Sequence, residues 1–273
     1  MKRLIAVAIT LAVLAGIAFA GWRFWDHLYT RFTPERCSVL NPDGDPVTLT
    51  KEQSRMSAII VAASYERDLP PRAATIALAT AYQESGIRNL DYGDRDSLGL
   101  FQQRPDPRFE WGTAEQIMDP WYSSLRFYDE LVKFPGWETE DINDQAQKVQ
   151  RSGFPEAYRK HVPNATVLAE AARGLTPQAI TCVSFAEPVA DPSPIERVLE
   201  PVPGVEVAVE GQTMTITAED SRQLWSAIHL AILNTYDAGI TRVDVGDASW
   251  ELGDREWSGV AADDATSATI TLG

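Results

Sequence analysis

The segment from Pro71 to Ser85 constrains this chain most: proline stands at its first position, Gly86 directly follows it, and small apolar residues recur within it. Proline suits the first turn of a helix and glycine its end, so the segment predicts one helix with both termini defined. Counting back from Glu84 in steps of three and four gives Ala81, Ala77 and Ala73. The Glu84 carboxyl therefore continues a stripe expected to be buried. Thr80 is the polar exception, and its hydroxyl can bond a carbonyl of the preceding turn. Burial disfavours an ionised carboxylate, and the negative end of the helix dipole disfavours it again. Glu84 is thus expected to keep its proton near neutral pH, as a general acid must. The alternative at this level is a solvated glutamate on a fraying last turn.

The amino terminus predicts a targeting element. Lys2 and Arg3 precede an uncharged run from Leu4 to Trp22. At ~1.5 Å per residue that run reaches ~28 Å, about one bilayer core. Trp22, Phe24, Trp25 and Tyr29 crowd its far end, as aromatics do at a membrane interface. The run exceeds a usual signal core, which favours a retained single-pass anchor over 1–25, with a juxtamembrane stretch over 26–47. Cleavage near Ala20, at Ala18-Phe19-Ala20, would instead release a secreted protein. Either way the bulk of the chain is expected outside the cytoplasm. Cys37 and Cys182 fit such a compartment and are expected to pair. The bond would close a loop of about 145 residues, for roughly 4–5 kcal/mol in the chain-entropy treatment. His27, His161 and His229 are scattered relative to these cysteines, so neither a metal nor another cofactor is expected.

Thr50 with Gln53 predicts a capping box opening a helix that carries Met56, Ile59, Ile60 and Ala63 on one face. After the Glu84 helix comes a polar loop, Arg88 to Ser97. Helices are expected again after Thr113 and Asp119, over Asp141–Arg151 and over Pro163–Gly174. Residues 48–184 thus predict a mainly helical domain. Five prolines between Phe185 and Pro203 predict a linker over 185–203. Beyond it the period changes: strands around Glu210-Gly211-Gln212, an amphipathic helix from Glu219 to Tyr236, strands at Ile240–Val245 and Ala268–Leu272, and a hairpin over Trp250–Trp257. Residues 204–273 predict a small α+β module, making the fold class α+β. The formal charge is -15, of which residues 187–273 carry -12 and residues 1–186 carry -3. Without a basic stripe, nucleic acid is not an expected partner. The acidic module would repel anionic wall polymers, which points to a protein partner for it.

Glu84-Ser85-Gly86 followed by Ser97-Leu98-Gly99-Leu100-Phe101-Gln102 resembles the paired signature of lysozyme-like lytic transglycosylases. In that family a helix-ending glutamate precedes a G-L-M-Q turn; Phe101 stands here for the methionine. Tyr92-Gly93-Asp94-Arg95 is similar to the aspartate loop of goose-type lysozymes. The resemblance covers roughly residues 50–175. It implies a lysozyme-like helical fold and cleavage of the β-1,4 bond between N-acetylmuramic acid and N-acetylglucosamine in peptidoglycan, with Glu84 as acid. Beside Glu84, substrate contacts are expected at Ser97, at Gly99, whose bare backbone would let a saccharide approach, and at Gln102 and Gln103, whose amides can bond sugar hydroxyls and N-acetyl groups; the alternatives are an ordinary turn glycine and ordinary polar surface.

A hydrolase needs a second carboxylate. Asp94 resembles the first aspartate of the goose-type loop, while Arg104 occupies the place of the second. A transglycosylase needs only one acid, because a hydroxyl of the sugar attacks and leaves a 1,6-anhydro end. The family's A-Y-N motif has no counterpart here. Gln150 falls where its asparagine sits, and Tyr158 could supply the aromatic hydroxyl. Trp111, Trp121, Tyr122 and Trp137 either line a groove or pack a core. The rival reading keeps the fold and the groove without catalysis, as a cell-wall binding or scaffold protein.

Overall fold

The computed structural model describes residues 35–273. The expected anchor over 1–25, and the stretch that follows it as far as residue 34, lie outside the described residues. Among the described residues no helix is long and apolar enough to cross a membrane.

The first described element is a hairpin, β1 (Arg36–Val39) with β2 (Val47–Leu49), pairing Cys37 with Leu49 and Val39 with Val47. An irregular stretch was expected here; only the turn at Asn41–Gly44 fits that, with Asn41 Oδ1 accepting from the Asp43 N–H. The strand was hidden because β1's other partner is remote. It pairs antiparallel with β3 (Ile180–Val183), giving the order β2-β1-β3. Cys37 faces Cys182 in that register, and the two form a disulfide spanning 145 residues of sequence.

Between these strands lies the helical part. The Thr50–Gln53 capping box opens α1 (Lys51–Glu66), which buries Met56, Ile60 and Ala63. Next is α2 (Pro71–Ser85), with Pro71 in the first turn and Gly86 left-handed at φ +66° behind it. The Gly86 N–H donates to Tyr82 O and the Ile87 N–H to Ala81 O, so two of the helix's last carbonyls are satisfied. Then follow α3 (Ala114–Met118), α4 (Pro120–Leu131), α5 (Ile142–Gln150) and α6 (Val162–Ala172). Ala73, Ala77 and Ala81 are fully buried, and the most extensive helix–helix contact of α2 is with α6, which buries Ala165, Ala169 and Ala172. Small side chains on both faces allow close approach of the backbones, so α2 is the central helix of this part.

The proline-rich stretch over 185–203 is not an open tether. It contains α7 (Ser193–Leu199), with proline in its first turn and Ile195, Val198 and Leu199 buried, packed against α1 and against α8 (Ser221–Ile232). Proline content suggested a linker, but prolines before and inside the first turn also start a helix.

Beyond α7 come β4 (Val205–Glu210), β5 (Thr213–Ala218), α8, the short α9 (Thr235–Ala238), β6 (Ile240–Val245), β7 (Ala248–Glu251) and β8 (Ser267–Leu272). They form an antiparallel sheet in the order β4-β5-β8-β6-β7. The hairpin expected over Trp250–Trp257 is instead β6 turning into β7 around Gly246, with Ser249 bridging Ser258. The protein is α+β, and residues 36–273 form one compact unit. The seam between its two parts is α8. His229 on α8 is fully buried, its Nδ1–H donating to Ala171 O at 2.7 Å and its Nε2 accepting from the Ala179 N–H at 3.1 Å. Burial lowers its pKa to about 4, so it is neutral. Gly174 (φ +72°) lies so close to α8 that a Cβ there would sit 1.9 Å from Arg222 O.

Candidate active site

Glu84 occupies the last turn of α2, where the alanine stripe runs out and the helix meets the loop it shares with Gly99. Ser85 ties the two together: its hydroxyl donates to Leu100 O at 2.7 Å and accepts from the Arg88 N–H at 3.2 Å. The loop closes as a tight turn in which the Leu98 N–H donates to Gln103 O at 2.9 Å and the Gln103 N–H to Leu98 O at 3.0 Å. Beside this turn is a cleft of about 430 Å³, with Glu84, Gln102, Gln103 and Gln150 on its wall.

The half-buried Glu84 carboxyl has its pKa raised by desolvation, the largest influence on it. Two hydrogen-bond donors act in the opposite sense. The Tyr158 hydroxyl donates to Glu84 Oε1 at 2.6 Å, and the Gln150 amide also favours the ionised form. Tyr158 itself is fully buried, and burial followed by the adjacent Glu84 charge raises its phenol pKa. Gln150 is held by Phe101, whose carbonyl accepts from Gln150 Nε2 at 2.7 Å. The Phe101 ring stacks on Phe127 of α4 with centroids 4.7 Å apart, anchoring the turn in the core. The carboxyl is thus held above the usual glutamate range by burial, beside two donors that favour its ionised form.

The structure therefore brings Glu84, Gln102, Gln103 and Gln150 to one cleft, with Tyr158 behind the acid. Asp94 is not brought there: its side chain is 94% exposed and pairs weakly with Arg95. Aspartate is a common turn residue, which accounts for Asp94 in this loop without a role at the cleft. Ser97 is buried at the loop's base, where its N–H donates to Asp94 O. Gly99 does not open a path for a saccharide. At φ +75° it faces α3, where a Cβ would stand 2.7 Å from Ile117 O, so the close approach is to the protein's own backbone. Of the aromatics, Trp111 lines the cleft, whereas Trp121 and Trp137 are core residues.

Sequence reasoning missed Glu130, Lys133, Arg108 and Phe109, which also line the cleft. Glu130 and Lys133 have the i, i+3 spacing of an ordinary surface pair. Of the seven non-glycine residues in the left-handed region among the described residues, Gln102 (φ 48°), Glu110 (φ 58°) and Arg151 (φ 53°) line this cleft, while Asp68, Ile87, Arg95 and Gln178 do not. Such conformations cost about 1–3 kcal/mol each and concentrate at functional sites. Gln103 adds a second mark: it is 2% exposed, and neither atom of its amide has a protein partner. Unpaired buried amides are costly, so this one suits a ligand or bound water. Among the described residues, no cluster of three or more His, Cys, Asp or Glu is placed to hold a metal ion.

No protein-family model and no curated protein matches this sequence. The functional reading rests on the cleft.

Proposed function

We propose that this protein is an extracytoplasmic enzyme with a lysozyme-like helical part that cleaves the glycan strands of peptidoglycan, with Glu84 as general acid. The observation that carries the reading is the half-buried Glu84 carboxyl, its pKa raised by burial and its Oε1 gripped by the buried Tyr158 hydroxyl at 2.6 Å. Glu84 lines the cleft, and its carboxyl carries the proton to be transferred there. The proton passes to the glycosidic oxygen as the bond to the anomeric carbon breaks. The carboxylate formed is stabilised by Tyr158 and Gln150, interactions that strengthen as charge develops, which is where binding energy accelerates a reaction.

The oxocarbenium-like sugar must then be captured. Asp94 is in solvent, and Glu130 in the cleft is engaged by Lys133 at 2.7 Å and Arg151 at 3.4 Å. Glu110, also on the cleft wall, is exposed to solvent, so attack by the sugar's own 6-hydroxyl is favoured over activation of water. That hydroxyl returns its proton to Glu84 and leaves a 1,6-anhydro end. The disulfide supports an oxidising, extracytoplasmic location, as does the expected N-terminal anchor.

The test is release of soluble muropeptides from isolated cell walls by the full-length protein, with Glu84→Gln abolishing release. Mass spectrometry of the products distinguishes anhydro ends from reducing ends. Wild-type protein that binds walls but liberates nothing would overturn the catalytic reading in favour of a wall-binding scaffold.

A further inference from the structure

The cleft is cation-rich in a strongly acidic chain. Arg104, Arg108, Lys133 and Arg151 line it, against Glu84, Glu110 and Glu130, while the whole protein carries -15. Arg104 and Arg108 are each neutralised by an aspartate just outside it, Asp96 and Asp106. Lys133 and Arg151 are different. Both pair with Glu130, and among the described residues neither has another carboxylate within ion-pairing distance. Lys133 and Arg151 thus share one ion-pairing carboxylate on the cleft wall.

Arg151 is also held there against its backbone preference. It is the C-cap of α5 at φ 53°, a position glycine fills without strain, and Gly153 stands only two residues further on. The guanidinium is 71% exposed and its single ion pair is long, at 3.4 Å. Its neighbour Gln150 acts on Glu84, so Arg151 stands one residue from the catalytic constellation. A helix C-terminus welcomes a cation, but that accounts for the charge and not for the left-handed arginine.

We infer that Arg151, with Lys133, forms a subsite for a carboxylate carried by the substrate. This rests on the glycan-cleaving reading and names what the cleft selects: strands bearing a free carboxylate beside the scissile bond. The sugar that presents its anomeric carbon for cleavage carries a lactyl ether on the same ring. Its carboxylate is free only after an amide-hydrolysing reaction has removed the attached peptide. The other source of the same chemistry is the peptide's own carboxylates. A guanidinium meets a carboxylate through two parallel hydrogen bonds, so Arg suits this task.

The experiment measures binding by calorimetry to the full-length protein carrying Glu84→Gln, with and without Arg151→Gly. The probes are a peptide-free muramyl oligosaccharide, the same oligosaccharide with its peptides, and an N-acetylglucosamine oligomer lacking carboxylates. Arg151→Gly is expected to weaken binding of a carboxylate-bearing probe about tenfold at low salt, with a smaller effect as salt rises. Binding of the N-acetylglucosamine oligomer should stay unchanged. Its melting temperature should not fall, because glycine suits the left-handed position. Weakening confined to the peptide-free probe assigns the lactyl group, weakening confined to the peptide-bearing probe assigns the peptide, and weakening of both shows that the subsite takes a carboxylate from either source. Equal effects on all three probes, or none, overturn the subsite while leaving the glycan reading intact. If no probe binds to either protein, the glycan reading falls and the subsite with it.

Discussion

Tyr158→Phe removes one oxygen atom from behind the acid and leaves the cleft wall untouched, because Tyr158 is fully buried and does not line the cleft. Under the proposed mechanism, its hydroxyl bonds a carboxyl whose pKa is raised by burial, and after proton transfer the same 2.6 Å bond would be made to a carboxylate. A hydrogen bond to a charged group contributes about 1.5–3 kcal/mol. Because most of this is realised only as the charge forms, its loss falls on the chemical step, for roughly a 10- to 150-fold drop in kcat with KM little changed.

The pH profile carries a second signature. The Tyr158 bond favours ionised Glu84, so deleting it raises the Glu84 pKa further. A general acid works while protonated, and the alkaline limb of the rate profile should therefore move to higher pH even as the maximum falls. Initial rates of muropeptide release across pH 4 to 9 for the two proteins measure both effects. An unchanged kcat, a change confined to KM, or an alkaline limb moved toward lower pH would each refute the assigned role of Tyr158.

Glu84→Gln should melt higher than wild type at pH 8. A raised carboxyl pKa gives stability that is present below the unfolded value, near 4.5, and lost as pH rises through the folded one, so the difference should vanish toward pH 4. His229 has the opposite sign. Lowered from 6.5 to about 4 by complete burial, it gives stability that is full above pH 6.5 and lost on descent to pH 4, about 3 kcal/mol in all. His229→Gln should cost about 1–3 kcal/mol at pH 7 by leaving Ala171 O or the Ala179 N–H unpaired, and urea titrations should find that gap closing by pH 4. Gly99→Ala should destabilise by at least the roughly 1–3 kcal/mol of its left-handed backbone, since its Cβ also meets Ile117 O; a melting temperature equal to wild type would contradict this.

The helices were legible where caps and periodicity are local. Thr50 and Gln53 announce α1, Pro71 and Gly86 bracket α2, and the strands after residue 204 follow their period-two alternation. What stayed hidden depends on partners remote in sequence. β1 is too short to announce itself and exists because β3 pairs with it across 145 residues, with the disulfide at the matching register. The linker reading failed for a related reason. Proline content is a local signal, whereas the burial of Ile195, Val198 and Leu199 depends on α1 and α8.

The cleft divides in the same way, and the division explains which residues were found. Glu84 was legible because burial is encoded in the three- and four-residue spacing of Ala81, Ala77 and Ala73. Gln150 and Tyr158 could be named only as replacements for a missing motif, since nothing local shows that a phenol 74 residues downstream lies 2.6 Å from the acid. Gly99 looked like a place for a ligand to approach because a glycine announces only that something comes close; the coordinates identify that neighbour as Ile117. The cations of the far wall gave no signal, because Lys133, spaced i, i+3 from Glu130, reads as surface decoration until Arg151 is seen reaching the same carboxylate from another helix. A sequence thus discloses an acid made by its own helix sooner than a wall assembled from three, where two cations sharing one carboxylate emerge only when partners are counted in space.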